Sequence, residues 1–327
     1  LKDGASAIYG SDAIAGVVNI ILRKNFDGAE VSALIGQNSR GDGQKEAYSF
    51  TLGASGERSS IIFGANYTKE DPVWAKDRVL TRTQFGPNHP LDALSATGPW
   101  GRFNDPRAAG TAGAGNYLDK DGNVVAPDAG GTWTPNTWVL NHSGTWNGAG
   151  TGSDSRDFNN YHIGVGTDDR FNATQQVMLA QETETKSVFT AGSFEINNYV
   201  TFKSTVMYSE RNSERQLAGY PLNGASQPKY PVAISGQSYY NPVGEDINSW
   251  FRRIIEIPRV SQNNVKSYHF DAALEGAFEV GTHGWNWDAG INYNKFDVTQ
   301  ISTGNVNLLA LEKALGPSFL NSQGVVQ

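Results

Sequence analysis

The sequence predicts an all-β protein whose strands form an antiparallel barrel. The 327 residues include 37 Gly and 8 + 13 + 15 = 36 aromatic residues, but only 18% charged residues. This composition is typical of a β protein with many turns. Several segments of about ten residues alternate apolar and polar side chains, as strands do when one face is apolar and the other contacts water.

The net charge of −7 and the absence of Cys exclude several functions. An acidic chain without a Lys/Arg cluster does not favour nucleic acid as a partner. Without Cys there is no disulfide framework and no thiolate metal site. The longest apolar run, residues 13–22, is too short for a transmembrane helix and contains Asn19.

Seven strands are predicted after residue 25. Their alternating segments are residues 29–35, 48–54, 61–67, 187–196, 200–208, 268–278 and 285–293. Near Lys295 the apolar positions shift by one residue to Phe296 and Val298, which predicts a bulge.

The predicted connections alternate in length. Tight turns fall at 55–59, 197–198 and 281–284, while 71–186, 211–264 and 302–327 are long loops. Short turns at one end and long loops at the other are typical of outer-membrane barrels. Strands of about ten residues match the span of a bilayer. Aromatic residues near the strand ends are also typical of membrane–water interfaces. Residues 252–258 are interpreted as a loop hairpin, because another barrel strand there would move the 281–284 turn to the long-loop end.

Residues 3–24 carry a long, ordered motif whose main positions are Gly4, Ser6, Ala7, Tyr9, Gly10, Gly16, Val17 and Asn19. This stretch resembles the C-terminal end of the plug domain of TonB-dependent outer-membrane receptors. The resemblance implies that residues 1–25 end a plug domain. It also implies that residues 26–327 are the N-terminal part of a 22-stranded transmembrane β-barrel, of which about seven strands are present. The chain begins inside a patterned stretch and ends inside a loop-like one, so we expect an internal fragment of a longer receptor.

The resemblance further implies energised uptake of a large or scarce ligand across the outer membrane of a Gram-negative bacterium. The ligand would be an extracellular small molecule or oligosaccharide of the glycan, siderophore or cobalamin class. The implied partners are outer-membrane lipid and TonB with its inner-membrane energising complex, which would engage a region absent from this chain. No cofactor or catalytic residue is expected, because no bond in the ligand is made or broken.

Five of the eight Trp lie between residues 71 and 186. Aromatic faces among short hydrogen-bonding side chains suit a sugar or planar ligand, so Trp133, Trp138 and Trp146 are candidate ligand-binding residues. For any single Trp, a place in a small core of the loop itself is the more common role. No metal site is expected: the five His lack metal-ligand spacing, and residues 119–123 are followed by Val where a calcium loop needs Gly.

Other functions remain open at this point. A soluble β-sandwich, serving as a binding module or a carbohydrate-active enzyme, also has alternating strands. A plugged outer-membrane receptor could mainly transduce a signal. A passive porin is disfavoured, because porins carry no plug segment.

Overall fold

The computed structural model describes residues 26–90, 94–106, 137–142, 154–225 and 230–327, together with the backbone of a hairpin at 117–118 and 124–125. In chain order its strands are β1 (Gly28–Gly36), β2 (Lys45–Ser55), β3 (Ser59–Glu70), β4 (Val73–Trp74), β5 (Arg102–Asn104), β6 (Tyr117–Leu118), β7 (Val124–Val125), β8 (Thr137–Leu140), β9 (Tyr161–Ile163), β10 (Met178–Ala180), β11 (Glu182–Asn197), β12 (Val200–Leu217), β13 (Pro221–Asn223), β14 (Trp250–Arg253), β15 (Arg259–Val280) and β16 (His283–Thr303). An α-helix, α1 (Leu308–Leu315), follows β16, and short 3₁₀ helices lie at Ala75–Asp77, Phe158–Asn160 and Ala173–Gln176.

Seven long strands form one antiparallel sheet in the order β1-β2-β3-β11-β12-β15-β16. Each strand pairs with the next one in that order, so the sheet is a meander with long excursions after β3 and β12. The predicted all-β, antiparallel fold class is confirmed. Among the strands that the structure describes, β1 and β16 are the edges and do not pair with each other, so the sheet is open.

The tight turns all lie at one end of this sheet. They join β2 to β3, β11 to β12 and β15 to β16. Gly281 opens the last turn with a φ of 65°, a left-handed conformation that glycine adopts without steric penalty. The two long excursions leave from the opposite end, as the alternation of short and long connections predicts.

The long strands extend beyond their alternating segments, so the predicted loop boundaries need correction. The loop predicted at 71–186 ends where β11 begins at Glu182, and the loop predicted at 211–264 covers only 218–258. The third, predicted from 302, begins after Thr303 and includes α1. Alternation reveals only the part of a strand that has one apolar face.

Polar side-chain ladders hold these extensions together. Asn264 Nδ2 donates to Glu210 Oε1 at 2.7 Å, and Gln262 Nε2 donates to Glu214 Oε2 at 2.7 Å. Residues 209–216 of β12 are all polar, so the sequence shows no alternation there, although the backbone pairing of β12 with β15 continues to Leu217.

The predicted bulge near Lys295 is wrong. The register of β15 with β16 is unbroken along its whole length. Phe296 and Val298 simply lie on the opposite face of β16 from Tyr293, because the apolar side of the sheet changes at this level while the backbone does not.

The excursions fold together into one lobe, which comprises the described residues of 71–181, 218–258 and 304–315. Its main element is a five-stranded sheet in the order β13-β14-β5-β8-β9. The lobe core contains Phe103, Trp138, Leu222, Val232, Ile247 and Trp250, with Leu308, Leu311 and Leu315 of α1 packed against it. Residues 250–253, at the start of the predicted loop hairpin, form β14 of this small sheet and stay outside the seven-stranded sheet, as predicted.

Candidate functional site: two sheet faces and a lobe

One side of the seven-stranded sheet is lined by apolar side chains across its whole width. Residues that stand directly opposite each other in antiparallel strands share a face, and the register brings the alternating segments of all seven strands to one side. We call this side the apolar face; its larger residues are Val31, Ile35, Phe50, Leu52, Ile61, Phe63, Val188, Phe194, Phe202, Val206, Phe270, Leu274, Phe278, Trp285, Ile291 and Tyr293. Val31 is 74% exposed, Ile291 67% and Trp285 57%. So large an exposed apolar surface marks contact with lipid or with another apolar body.

A row of tyrosines bounds the apolar face at the lobe end. Tyr48 stands opposite Tyr67, and Tyr208 stands opposite Tyr268. The ring centroids in these pairs are 6.2 and 5.2 Å apart. We call these four residues the tyrosine row. Such rings, apolar with a polar tip, are typical of membrane–water interfaces.

The height of the apolar face is close to that of a bilayer. On β15 it extends from Tyr268 to Val280. At about 3.3 Å per residue this is roughly 40 Å along the strand, or about 28 Å along the membrane normal for a strand tilted by about 45°. The hydrocarbon core of a bilayer is about 30 Å thick.

Beyond the tyrosine row the same side of the sheet becomes charged. Lys186, Glu210, Lys266 and Asp297 stand opposite one another on β11, β12, β15 and β16. Charges of alternating sign on neighbouring strands attract each other. At this level Phe296 and Val298 lie on the other side of the sheet, so β16 exchanges polarity between its two sides where the tyrosine row ends.

The opposite side of the sheet, which we call the polar face, is lined by hydrogen-bonding groups. Lys203 forms an ion pair with Glu275. His269 Nδ1 lies 2.6 Å from Asn294 Oδ1, and its Nε2 lies 3.1 Å from Asp271 Oδ2. These contacts hold the imidazole between an amide and a carboxylate, as in a polar wall.

One large aromatic ring also lies on the polar face. Phe189 packs over Gly64 of the neighbouring strand, so closely that a Cβ at Gly64 would overlap its ring. The absence of a side chain at Gly64 is therefore what allows the ring to lie against the sheet.

In the lobe, Trp138 is part of the core and does not present its ring to solvent. It is 4% exposed, and its ring centroid lies 4.6 Å from that of Phe158. Its strand, β8, is covered on both sides because β5 and β9 flank it and the core residues pack over it. Trp138 is thus placed to stabilise the lobe, and a ligand cannot stack on it in this conformation. Trp133 and Trp146 lie outside the described residues.

A buried carboxylate in the lobe joins two histidines. Asp169 is 5% exposed; its Oδ1 lies 2.8 Å from His142 Nε2, and its Oδ2 lies 3.2 Å from His162 Nε2. The Gly166 N–H donates to the same carboxylate at 2.5 Å, and Trp100 stacks on His142 with centroids 3.8 Å apart. Burial alone would raise the pKa of Asp169, but the hydrogen bonds from His162, His142 and Gly166 outweigh it and lower the pKa below its ordinary value. The sequence gives no sign of this cluster, because its members are 20 and 7 residues apart and His162 lies in β9, which is too short to show a pattern.

Three arginines hold an adjacent loop. The guanidinium groups of Arg102, Arg170 and Arg253 donate to backbone carbonyls within residues 94–97 at 3.0, 2.9 and 3.3 Å. Burial lowers the pKa of Arg102, and the nearby charge of Arg170 lowers it further. The arrangement stabilises the loop by satisfying its carbonyl groups.

The predicted plug residues Gly4, Ser6, Ala7, Tyr9, Gly10, Gly16, Val17 and Asn19 lie outside the described residues, as do 119–123. Within the part of the chain that is described, no three His, Asp or Glu side chains are grouped so that they could hold a metal ion. No described helix is long and apolar enough to span a membrane. Comparisons of the chain with protein-family models, curated proteins and solved structures found no match.

Proposed function

We propose that this chain is part of a TonB-dependent outer-membrane receptor, with residues 26–327 forming about seven strands of its transmembrane barrel and residues 1–25 ending its plug. The observation that carries this proposal is the continuous apolar face, bounded by the tyrosine row and close to a bilayer in height. Tight turns at one end of the sheet and a large lobe at the other support the same arrangement, because outer-membrane barrels have short periplasmic turns and long external loops.

In this proposal the polar face lines the lumen. A barrel of 22 strands encloses a space that its own side chains cannot fill, so a plug has to occupy it. The ion pair of Lys203 with Glu275 and the polar groups around His269 then face the plug or water. TonB would draw on the proton-motive force to remodel the plug, and the ligand would pass without any bond being made or broken.

The lobe is the proposed first contact for the external ligand, of the glycan, siderophore or cobalamin class. Because Trp138 belongs to the lobe core, the ligand must be held by other residues. Aromatic side chains on the lobe surface and its many Asn and Asp residues supply the groups that such ligands need.

The rival proposal, a β-sandwich binding module or enzyme, requires a second layer against the apolar face. Among the described residues no second sheet packs there, and Leu52 and Ile291 are 49% and 67% exposed. Lipid is the simplest cover for this surface.

The chain contains no Cys, so single cysteines can be introduced without background labelling. Thr205 and Val206 are adjacent on β12 and lie on the polar and apolar faces. In membranes containing the full-length protein, Thr205→Cys should react with a water-soluble maleimide, while Val206→Cys should react only with a lipid-soluble one. On intact cells, the exposed Asp168→Cys of the lobe should react from outside. Equal labelling of Thr205→Cys and Val206→Cys by the water-soluble reagent, or recovery of the protein outside the membrane fraction, would overturn the proposal.

A further inference from the structure

A concave surface rich in basic side chains lies where the β1–β2 loop meets the segment after β3. It encloses about 550 Å³ and is lined by Arg40, Asp42, Lys76, Asp77, Arg78, Val79 and Arg82. We call it the basic patch. Four cations and two carboxylates give it a formal charge of 4 − 2 = +2, in a chain whose net charge is −7. The patch therefore attracts anions although the protein as a whole repels them.

Within the described part of the chain, a carboxylate neutralises Arg78 and none of the other three cations. Arg78 forms two hydrogen bonds of 2.7 Å with Asp42, and this guanidinium lowers the pKa of Asp42. Arg40 donates to the backbone carbonyl of Asp77 at 2.7 Å, which leaves its charge uncompensated. Among the described residues no carboxylate forms an ion pair with Arg40, Lys76 or Arg82. These three exposed cations are available to an external anion.

Side-chain hydrogen bonds hold the backbone at Arg82, at one end of the patch. The carbonyl of Arg82 accepts hydrogen bonds from Asn172 Nδ2 at 2.6 Å and from Thr174 Oγ1 at 2.9 Å. Asn172 Oδ1 also accepts from the Gln84 N–H at 3.1 Å. The backbone next to the patch is therefore preorganised, which reduces the entropy lost when a ligand binds.

Large apolar side chains point into solvent beside the patch. Val79 is 46% exposed, Leu80 74% and Phe85 62%. Phe85 also has a φ of 67°, a left-handed conformation that costs an aromatic residue roughly 1–3 kcal/mol. The Phe85 ring contacts the His89 ring, with centroids 5.0 Å apart, and 62% of Phe85 is still exposed beside the patch.

We infer that the basic patch binds a phosphate-bearing lipid of the surrounding bilayer, with the headgroup on Arg40, Lys76 and Arg82 and acyl chains against Val79 and Leu80. This inference rests on the proposed membrane location. The combination of cations with exposed apolar side chains matches an anionic amphiphile better than a small water-soluble anion.

The position of the patch agrees with this ligand. Lys45, where β2 begins, is three residues from Tyr48 of the tyrosine row, or about 10 Å along the strand, and the patch follows directly. Lipid headgroups occupy the layer just outside the hydrocarbon core, which is the same level.

The test uses the purified full-length protein in a non-ionic detergent, titrated with dihexanoyl phosphatidic acid. The variant R40Q/K76Q/R82Q removes the three uncompensated charges and should weaken binding at least tenfold. Binding by the unaltered protein should fall as salt is raised, because these exposed charges are screened. K76Q/R82Q keeps the Arg40 contact with the Asp77 carbonyl and should give an intermediate loss.

A matched control removes three exposed cations elsewhere, in R211Q/R215Q/K313Q, and should bind the lipid like the unaltered protein. Circular dichroism should be unchanged in both triple variants, because these cations are exposed and form no ion pairs among the described residues. The melting temperature of R40Q/K76Q/R82Q should fall only slightly, because that variant loses the exposed Arg40 hydrogen bond to the Asp77 carbonyl and the contact of Lys76 with the Trp74 ring.

Two further ligands distinguish the sources of the anion. Inorganic phosphate should bind at least tenfold more weakly than the lipid, and Leu80→Ser should weaken lipid binding without changing phosphate binding. Dihexanoyl phosphatidylcholine should bind more weakly than phosphatidic acid. Equal affinity of the R40Q/K76Q/R82Q variant and the unaltered protein, or equal affinity for phosphate and lipid, would overturn the inference. If the proposed membrane location is wrong, the labelling experiment will show it separately, because Val206→Cys will then react with the water-soluble maleimide whatever the lipid titration gives.

Discussion

Placing a charge at the centre of the apolar face gives a direct measure of what this face contacts. Leu274 is six residues from Tyr268 and six from Val280, so it lies midway across the apolar segment of β15. It stands between Phe202 of β12 and Ala289 of β16. Leu274→Arg would put a guanidinium at the level of the bilayer midplane.

The expected loss in the free energy of unfolding follows from this depth in the bilayer. An Arg on the lipid face of a barrel costs about 2–4 kcal/mol at the midplane and at most about 1 kcal/mol near the interface. A loss of 2–4 kcal/mol changes the ratio of folded to unfolded protein by about 30- to 700-fold. Two control variants separate the cost of placing the charge in lipid from the cost of adding a charge at all. Ala273→Arg adds the same charge to the adjacent, polar-face position, and Gln262→Arg adds it to the same side beyond the tyrosine row.

The free energy of unfolding can be measured by equilibrium refolding of the full-length protein from urea into phosphatidylcholine vesicles, followed by the mobility of the folded band on unheated gels. Ala273→Arg should cost less than about 1 kcal/mol, because a wet lumen solvates the added charge even though Lys203 stands opposite. Gln262→Arg should be close to neutral. If Leu274→Arg lowers the free energy of unfolding no more than Ala273→Arg does, the apolar face does not contact lipid. The interpretation of the tyrosine row as a membrane–water interface would then be wrong as well.

Four further predictions concern the lobe and the polar face. Asp169→Ala should destabilise the lobe by about 2–4 kcal/mol, because it removes the acceptor of the buried His142 ring and of the Gly166 N–H. The neighbouring exposed Asp168→Ala should change stability by less than about 0.5 kcal/mol, and hydrogen exchange of lobe amides measures both. The folded-state pKa of Asp169 is lowered, so its contribution to lobe stability should be present above about pH 4 and should disappear as the pH falls through the folded pKa. Equal protection of the lobe amides at pH 2 and pH 6 would contradict this. Gly64→Ala should destabilise the sheet by about 1–3 kcal/mol, because the added Cβ would overlap the Phe189 ring. Most of that loss should vanish in a Phe189→Ala background, whereas additive losses would mean that residues 64 and 189 do not interact. Trp138→Ala should lower lobe stability by about 3–5 kcal/mol, and Trp138→Phe should keep most of the stability of the unaltered lobe. If Trp138→Ala reduced ligand affinity more than lobe stability, Trp138 would be a ligand-contacting residue after all.

The sequence predicts the seven-stranded sheet well because one physical constraint governs it. Each strand has one apolar face, so alternation at 200–208 or 285–293 reports both the strand and its orientation. The same constraint explains the errors. Where both faces of a strand are polar, as at residues 209–216 of β12, the strand continues without a pattern. At Phe296 an exchange of polarity between the faces of β16 imitates a bulge.

The lobe could not be predicted in the same way. Its strands are two to four residues long, too short for a periodic signal, and its core joins residues from three separate excursions. Trp138 illustrates the difficulty: a tryptophan in a long polar loop looks the same in sequence whether it contacts a ligand or fills a core. The partners of Asp169 and the cations of the basic patch are likewise brought together only by the fold.

The shared core of the lobe also constrains the order of folding. Phe103 lies in a core to which Leu311 contributes, although more than 200 residues separate them in the chain. Contacts between such distant residues require large loops to close and therefore form slowly. The early part of the lobe can complete this core only after β16 and α1 are in place. A chain interrupted between these points would expose that unfinished core, so shortening any one of the three excursions would impair the folding of the other two.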